Sequence, residues 1–167
     1  MKTKKTLFIG GIKSGKSYNA ETYILKSSLL KPIYLATTEF IDDEMQNRIN
    51  KHKSSRGDKF ETIEEPLKLY STITHCDSPV LVECVSIWIN NMLYHGFEFE
   101  EMRRELEAIL ALDKTVVFVL NDVGSGIIPD NALAREFVDM SGKLSQLIAS
   151  KCNEVYHTIA GISTRIK

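Results

Sequence analysis

The chain has 167 residues, a length that suits one domain with a sizeable buried core. Its 43% hydrophobic and 26% charged residues are typical of a globular protein and exclude a disordered chain. A formal net charge of -1 offers no general attraction for nucleic acid, and no apolar run approaches the roughly 20 residues that span a bilayer. We therefore expect neither a nucleic-acid nor a membrane partner. An odd number of cysteines, with no C-x-x-C pair, argues against a disulfide framework or a zinc site and favours a cytoplasmic location.

The first predicted strand, residues 6–9, runs into a glycine-rich loop and then a helical segment. The loop matches G-x-x-x-x-G-K-[ST], in which successive N–H groups point at phosphate oxygens beside the positive end of the helix. Lys16 is expected on the β- and γ-phosphates and Ser17 as a ligand of Mg²⁺. The alternative is a chance glycine-rich turn. The predicted nucleotide-binding residues are Gly10, Gly11, Ile12, Lys13, Ser14, Gly15, Lys16 and Ser17.

A histidine follows the second predicted strand, residues 33–36. Ile41, Met45 and Ile49 form the apolar stripe of a helix, and His52 lies on the same side. A lone histidine at such a position is usually a partly buried helix-end residue with a satisfied hydrogen bond. The functional alternative is a nucleophile or an acid–base group beside the nucleotide, with phosphate partners at Lys51, Lys53 and Arg56.

Two later predicted strands end in polar residues. The run 80–85 carries Glu83, which we expect to hold Mg²⁺ directly or through water, although a surface glutamate at the end of a strand is the alternative. The run 116–120 leads into Asn121, Asp122 and a segment with two glycines and a proline, residues 123–129. That segment suits a loop at the ligand-binding edge of the sheet and suits a plain strand–helix connection equally well.

Amphipathic helices alternate with the four or five predicted strands, of which the last is 155–160. Because these strands are apolar without strict alternation, they predict a mainly parallel sheet with helices on both faces, an α/β fold. No linker or repeat divides the chain, so we expect a single domain over residues 1–167. Two helical stripes stand out, one at Phe99, Met102, Leu106 and Ile109, and one at Leu133, Phe137, Met140, Leu144 and Leu147.

Together these motifs resemble the bifunctional adenosylcobinamide kinase/adenosylcobinamide-phosphate guanylyltransferase family of cobalamin biosynthesis. The resemblance runs from about residue 5 to the C-terminus. The phosphate loop is shared with many nucleotide-binding proteins, whereas R-I-x-x-H-K and N-D-V-G-x-G-I-I-P are more specific. The matching segments are residues 10–17, 34–38, 42–45, 48–53, 81–84 and 121–129, with Asp139 and Gly142.

The resemblance implies a RecA-like P-loop NTPase fold, a homotrimer and two reactions. Adenosylcobinamide first takes the γ-phosphate of ATP or GTP, and a histidine, matched here by His52, then carries GMP from GTP to that phosphate. It also implies that Thr37, Thr38, Lys53, Arg56 and Glu64 lie near the guanine nucleotide. The alternatives are a P-loop small-molecule kinase, a guanylyltransferase that has only one of the two activities, and a nucleotide-binding regulatory protein.

Overall fold

The computed structural model describes residues 3–39 and 57–167, and these contain seven strands and five helices. His52, Lys53, Arg56 and the helical stripe that begins at Ile41 lie outside the described residues. In chain order the elements are β1 (Lys5–Gly10), α1 (Lys16–Ser27), β2 (Ile33–Ala36), a 3₁₀ turn (Gly57–Lys59), β3 (Glu61–Glu64), α2 (Leu69–Thr74), β4 (Val80–Glu83), α3 (Val85–Tyr94), α4 (Phe99–Ala111), β5 (Val116–Asn121), α5 (Ala132–Lys151), β6 (Glu154–Ile159) and β7 (Ile162–Arg165).

The strands form one sheet in the order β3-β2-β4-β5-β1-β6-β7. Every neighbouring pair is parallel except β6 and β7, which are joined by a tight turn and pair antiparallel. The prediction of a mainly parallel sheet is therefore confirmed. Parallel strands end at the same edge, so Gly10, Ala36, Glu83 and Asn121 all lie at one edge of the sheet.

Helices cover both faces of the sheet, as the apolar runs without strict alternation predict. In β5, Val116, Phe118 and Leu120 face a core formed with α2, α3, α4 and α5. The alternate residues Val117 and Val119 face a second core formed with α1. Because both faces are buried, neither set of side chains is polar, and the period-2 pattern is absent from the sequence. Within the described residues, no helix is both long and apolar enough to cross a membrane.

Two strand ends differ from the prediction. The strand predicted over 80–85 stops at Glu83, because Val85 already begins α3, whose own residues are mostly buried. An apolar run alone does not separate the end of a strand from the start of a buried helix. The strand predicted over 155–160 stops at Ile159, since Ala160 takes a positive φ of 50° in the turn to β7.

Polar edge strands account for the elements that the sequence prediction missed. The strands β3 (E-T-I-E) and β7 (I-S-T-R) lie at the two edges of the sheet and are largely exposed, so they contain no apolar run. In α5 the predicted stripe is only partly buried. Leu144 is in the core, but Leu133, in the first turn of the helix, is 66% exposed.

A buried carboxylate at the start of β6 gives the fold a testable dependence on pH. Glu154 accepts hydrogen bonds from the Tyr23 hydroxyl at 2.6 Å and from Lys4 Nζ at 3.1 Å. These partners, the tyrosine first, lower the pKa of Glu154 below its ordinary value. A lowered folded-state pKa means that the stabilisation is present above the unfolded-state pKa and is lost as the pH falls through the folded-state pKa.

We expect Glu154→Gln to lower the free energy of unfolding at pH 7 by about 1–2 kcal/mol, since Lys4 is half exposed and contributes little. The difference from wild type should shrink when urea unfolding is repeated near pH 3.5. The exposed Glu136→Gln on α5 is the matched control and should change stability by less than about 0.5 kcal/mol at either pH. An equal deficit for Glu154→Gln at both pH values would contradict this assignment.

Candidate active site

The glycine-rich segment, residues 10–17, is hereafter called the phosphate loop. It connects β1 to α1, which is the strand–loop–helix context that its pattern predicts. Lys13 has a φ of 57° and Gly15 a φ of 93°, so the backbone takes a left-handed conformation at two positions within the loop. The turn between β6 and β7 contacts the loop, where Gly161 N donates to Ser14 O at 2.7 Å. The crest of the loop, Gly11 to Lys13, is left exposed at the edge of the sheet.

Two of the glycines are required by close packing. A Cβ atom on Gly10 would lie 2.4 Å from Thr158 O, and one on Gly15 would lie 2.9 Å from Gly161 Cα. Both neighbours are backbone atoms, so no larger residue fits at Gly10 without displacing β6, or at Gly15 without displacing the turn from β6 to β7. The glycine pattern in the sequence therefore reflects both the winding of the loop and its contact with the last hairpin.

The start of α1 is arranged to receive an anion. The helix begins at Lys16, has no acidic residue in its first turn and has no side chain that caps its N–H groups. These groups carry the positive end of the helix dipole, which favours phosphate. Lys16 is only 6% exposed, and its Nζ donates to Gly11 O at 3.2 Å. The ammonium group is thus held inside the loop, where it adds positive charge at the position of a bound phosphate.

A hydroxyl and a carboxylate meet beside the loop. Ser17 Oγ donates to Glu83 Oε1 at 2.7 Å, although the two residues are 66 positions apart. Glu83 ends β4, Ser17 follows the loop after β1, and β5 lies between these two strands in the sheet. Two oxygen ligands on adjacent corners of a Mg²⁺ octahedron are about 3.0 Å apart, given metal–oxygen bonds of about 2.1 Å. The Ser17–Glu83 pair therefore fits a magnesium ion in both ligand type and spacing.

The turn that carries Glu83 is held by Thr37. Thr37 Oγ1 donates to Cys84 O at 2.8 Å and accepts from Cys84 N at 2.9 Å, and Thr37 N donates to Glu83 O at 3.0 Å. The peptide bond between Glu83 and Cys84 is cis. Because its hydroxyl is fully buried and used twice by Cys84, Thr37 positions Glu83 rather than facing the loop. Burial raises the pKa of the Cys84 thiol to about 11, so this cysteine stays protonated near neutral pH.

The other residues expected near guanine lie apart from one another. Thr38 is half-buried and lines a groove that also contains Ile12 of the phosphate loop. Glu64 is exposed at the end of the edge strand β3. Four strand spacings separate β3 from β1, which places Glu64 about 19 Å from the loop. The structure therefore brings Thr38 close to the loop and does not bring Glu64 there.

The groove beside the phosphate loop has a volume of about 320 Å³. Its apolar walls are Ile12, Ile87, Val123 and Phe137. Its polar residues come from the end of β2, from α3 and from the end of β5, and they are Thr38, Ser86, Asn90, Asn91 and Asn121. Asn90 and Asn91 were not among the site residues predicted from the sequence. Their signal was an adjacent pair of amides within the otherwise apolar segment of α3.

The segment after β5 is a shaped loop. Asp122 accepts from Gly124 N at 3.2 Å and from Ser125 Oγ at 2.5 Å, and Asp122 N donates to Gly10 O at 2.9 Å. Asp122 thus ties the phosphate loop to residues 123–129. Val123 and Asn121 line the groove, which favours the ligand-edge interpretation of this segment over a plain connection.

Comparison with known proteins identifies the family. Residues 6–166 match the family described as cobinamide kinase / cobinamide phosphate guanyltransferase. The chain belongs to this family. It is 36% identical to the bifunctional adenosylcobalamin biosynthesis protein CobU of Escherichia coli K12, covering 96% of this chain and 98% of that protein. It is 35% identical to the bifunctional adenosylcobalamin biosynthesis protein CobP of Pseudomonas aeruginosa PAO1, covering 98% and 97%.

Solved structures support the fold of this family member. The chain aligns with the flagellar accessory protein FlaH of Methanocaldococcus jannaschii at a TM-score of 0.50 and 12% identity, over 97% of this chain and 75% of that one. It aligns with a protein of Pyrococcus horikoshii OT3 at a TM-score of 0.54 and 11% identity, over 98% and 86%. At these identities the likeness concerns the fold alone. The predicted RecA-like P-loop NTPase fold is confirmed.

Proposed function

We propose that this chain is a bifunctional transferase that phosphorylates adenosylcobinamide and then converts the product to adenosylcobinamide-GDP. Residues 1–167 form a single kinase/guanylyltransferase domain, and the protein acts in the cytoplasm as a homotrimer. Family membership and the two-activity relatives, which the chain matches over nearly its full length, support this proposal. The observation that carries it is the phosphate loop, with buried Lys16 inside it and the Ser17–Glu83 pair beside it.

The kinase step uses the phosphate loop. A hydroxyl oxygen of adenosylcobinamide attacks the γ-phosphorus of ATP or GTP, the new P–O bond forms, and the bond to the β-phosphate oxygen breaks. The hydroxyl proton is released and the nucleoside diphosphate leaves. Lys16 and the N–H groups at the start of α1 stabilise the charge on the transferring group. Ser17 and Glu83 would hold Mg²⁺, which supplies further neutralisation of the phosphate oxygens when bound.

The guanylyl step uses His52. An imidazole nitrogen of His52 attacks the α-phosphorus of GTP, a P–N bond forms, and pyrophosphate leaves with the bridging oxygen. A phosphate oxygen of adenosylcobinamide phosphate then attacks the same phosphorus, and the P–N bond breaks. A neutral imidazole is abundant near pH 7, and its phosphoramidate is reactive enough to be displaced. Lys53, Arg56, Thr38 and Glu64 are proposed to contact the guanine nucleotide, with Thr37 acting through the turn at Glu83.

The test of this function is covalent labelling with GTP that carries label on the α-phosphorus. Incubation with Mg²⁺ should give an acid-labile protein-bound label, and addition of adenosylcobinamide phosphate should release it as adenosylcobinamide-GDP. Chelation with EDTA should prevent labelling. ADP formation that depends on adenosylcobinamide, without any adduct, would indicate a small-molecule kinase instead. GTP binding without turnover of any corrinoid would indicate a regulatory protein.

A further inference from the structure

The groove beside the phosphate loop combines apolar walls with neutral polar residues and is uncharged. Three asparagines and two hydroxyl residues line it, and none of its lining residues among those the structure describes carries a charge. Phosphate and carboxylate ligands are normally met by arginine or lysine side chains, and the described lining of this groove contains neither. A groove of amides and hydroxyls is instead suited to a neutral ligand that both donates and accepts hydrogen bonds.

A buried amide oxygen in this groove lacks a donor within the described part of the chain. Asn91 is 1% exposed, and its Nδ2 donates to Thr37 O at 2.7 Å and to Pro66 O at 3.1 Å. These two carbonyl acceptors determine which end of the amide is nitrogen. The Asn91 Oδ1 atom is therefore the acceptor end of this amide, and it has no hydrogen-bond partner among the described residues. A buried amide oxygen without a donor costs free energy. Because Oδ1 is itself shielded from solvent, a ligand N–H or O–H group would reach it only after a small displacement of the groove wall.

The groove lies where a ligand could receive a phosphate group from a nucleotide bound at the phosphate loop. Ile12 belongs to both, and Asn121 pairs with Gly10 across β5 and β1. A ligand in the groove therefore lies next to the site of the nucleotide phosphates. A volume of about 320 Å³ accommodates a small ligand or one arm of a large one. It is too small for a whole corrin ring, whose peripheral arms end in neutral amides and, in one arm, in a hydroxyl.

We propose that this groove binds the hydroxyl-bearing amide arm of the corrinoid acceptor. Its amides position that arm, and Asn90 and Asn91 are positioning residues for the arm rather than groups that react. This inference rests on the proposed function, since it assigns the acceptor side of the same transfer. Ile12 and Thr38 line the groove and are also proposed to contact the nucleotide, so the acceptor arm and the nucleotide would lie side by side.

The test uses Asn90→Ala, because Asn90 is exposed in the absence of ligand and its loss does not disturb the core. Cobinamide binding is measured by equilibrium dialysis with the visible absorbance of the corrinoid, in the presence of a non-hydrolysable GTP analogue. We expect Asn90→Ala to raise the Kd for cobinamide about five- to tenfold, the effect of losing one ligand hydrogen bond. The KM for cobinamide in the kinase assay should rise by the same factor, with kcat and the Kd for the GTP analogue unchanged.

The matched control is Gln146→Ala, which removes an exposed amide from α5 that does not line the groove. This variant should bind cobinamide like wild type. A second variant, Ile87→Glu, places a negative charge on the groove wall and should weaken cobinamide binding more strongly than Asn90→Ala. Wild-type affinity in both groove variants would overturn the proposal. Failure of the wild-type protein to bind cobinamide at all would instead count against the proposed function.

Discussion

Replacing Lys16 with methionine is expected to reduce both transfers about 100- to 1000-fold. Lys16 is buried at the start of α1, and its Nζ lies within the phosphate loop, where it contacts Gly11 O. Methionine keeps the apolar stem and removes only the ammonium group. Both reactions transfer a phosphorus group of a bound nucleotide, so both lose the same stabilisation of the transition state.

The measurement is the steady-state rate of corrinoid-dependent ADP formation, together with the rate of labelling by α-labelled GTP. The matched control is Lys26→Met, which makes the same change at an exposed position in the last turn of the same helix. This control should retain wild-type rates. A Lys16→Met protein that melts like wild type yet keeps either activity within tenfold would contradict the role assigned to the loop.

Replacing His52 with alanine is expected to abolish covalent labelling and to lower guanylyl transfer by at least about 1000-fold. Alanine offers no nitrogen to attack the α-phosphorus, so no phosphoramidate forms. The kinase step should remain within a few-fold of wild type, because the γ-phosphate is transferred directly to the corrinoid. The expected signature is therefore a split between the two activities in one protein.

The label on His52→Ala is measured after denaturation, and kinase activity is assayed on the same preparation to show that the protein is folded. His75→Ala is the matched control, since His75 is exposed at the end of α2 and its ring nitrogen Nδ1 lies within hydrogen-bond distance of Ser71 O and Thr74 Oγ1 of that helix. It should label fully. An adduct that survives in His52→Ala would place the nucleophile elsewhere, and equal loss of both activities would indicate a shared role for this histidine.

Much of the fold was predictable because it depends on local patterns. Runs rich in Val, Ile and Leu without strict alternation indicated β1, β2, β4, β5 and β6, since strands covered on both faces are mostly apolar. The α4 stripe of Met102, Leu106 and Ile109 is fully buried, as its spacing predicts. The edge strands β3 and β7 were not predicted, because exposed strands do not need apolar side chains and so show no apolar run in the sequence.

In the candidate site, too, some features depend on local sequence and others depend on the tertiary structure. The phosphate loop was visible in sequence because its glycines, lysine and serine are consecutive, and the backbone geometry they require is local. The contact of Ser17 with Glu83, the inward hydroxyl of Thr37 and the distance of Glu64 depend on strand order. No short-range pattern encodes that order. Residues far apart in the chain, such as Thr38, Asn91 and Asn121, share a groove only because β2, β4 and β5 end at the same edge of the sheet.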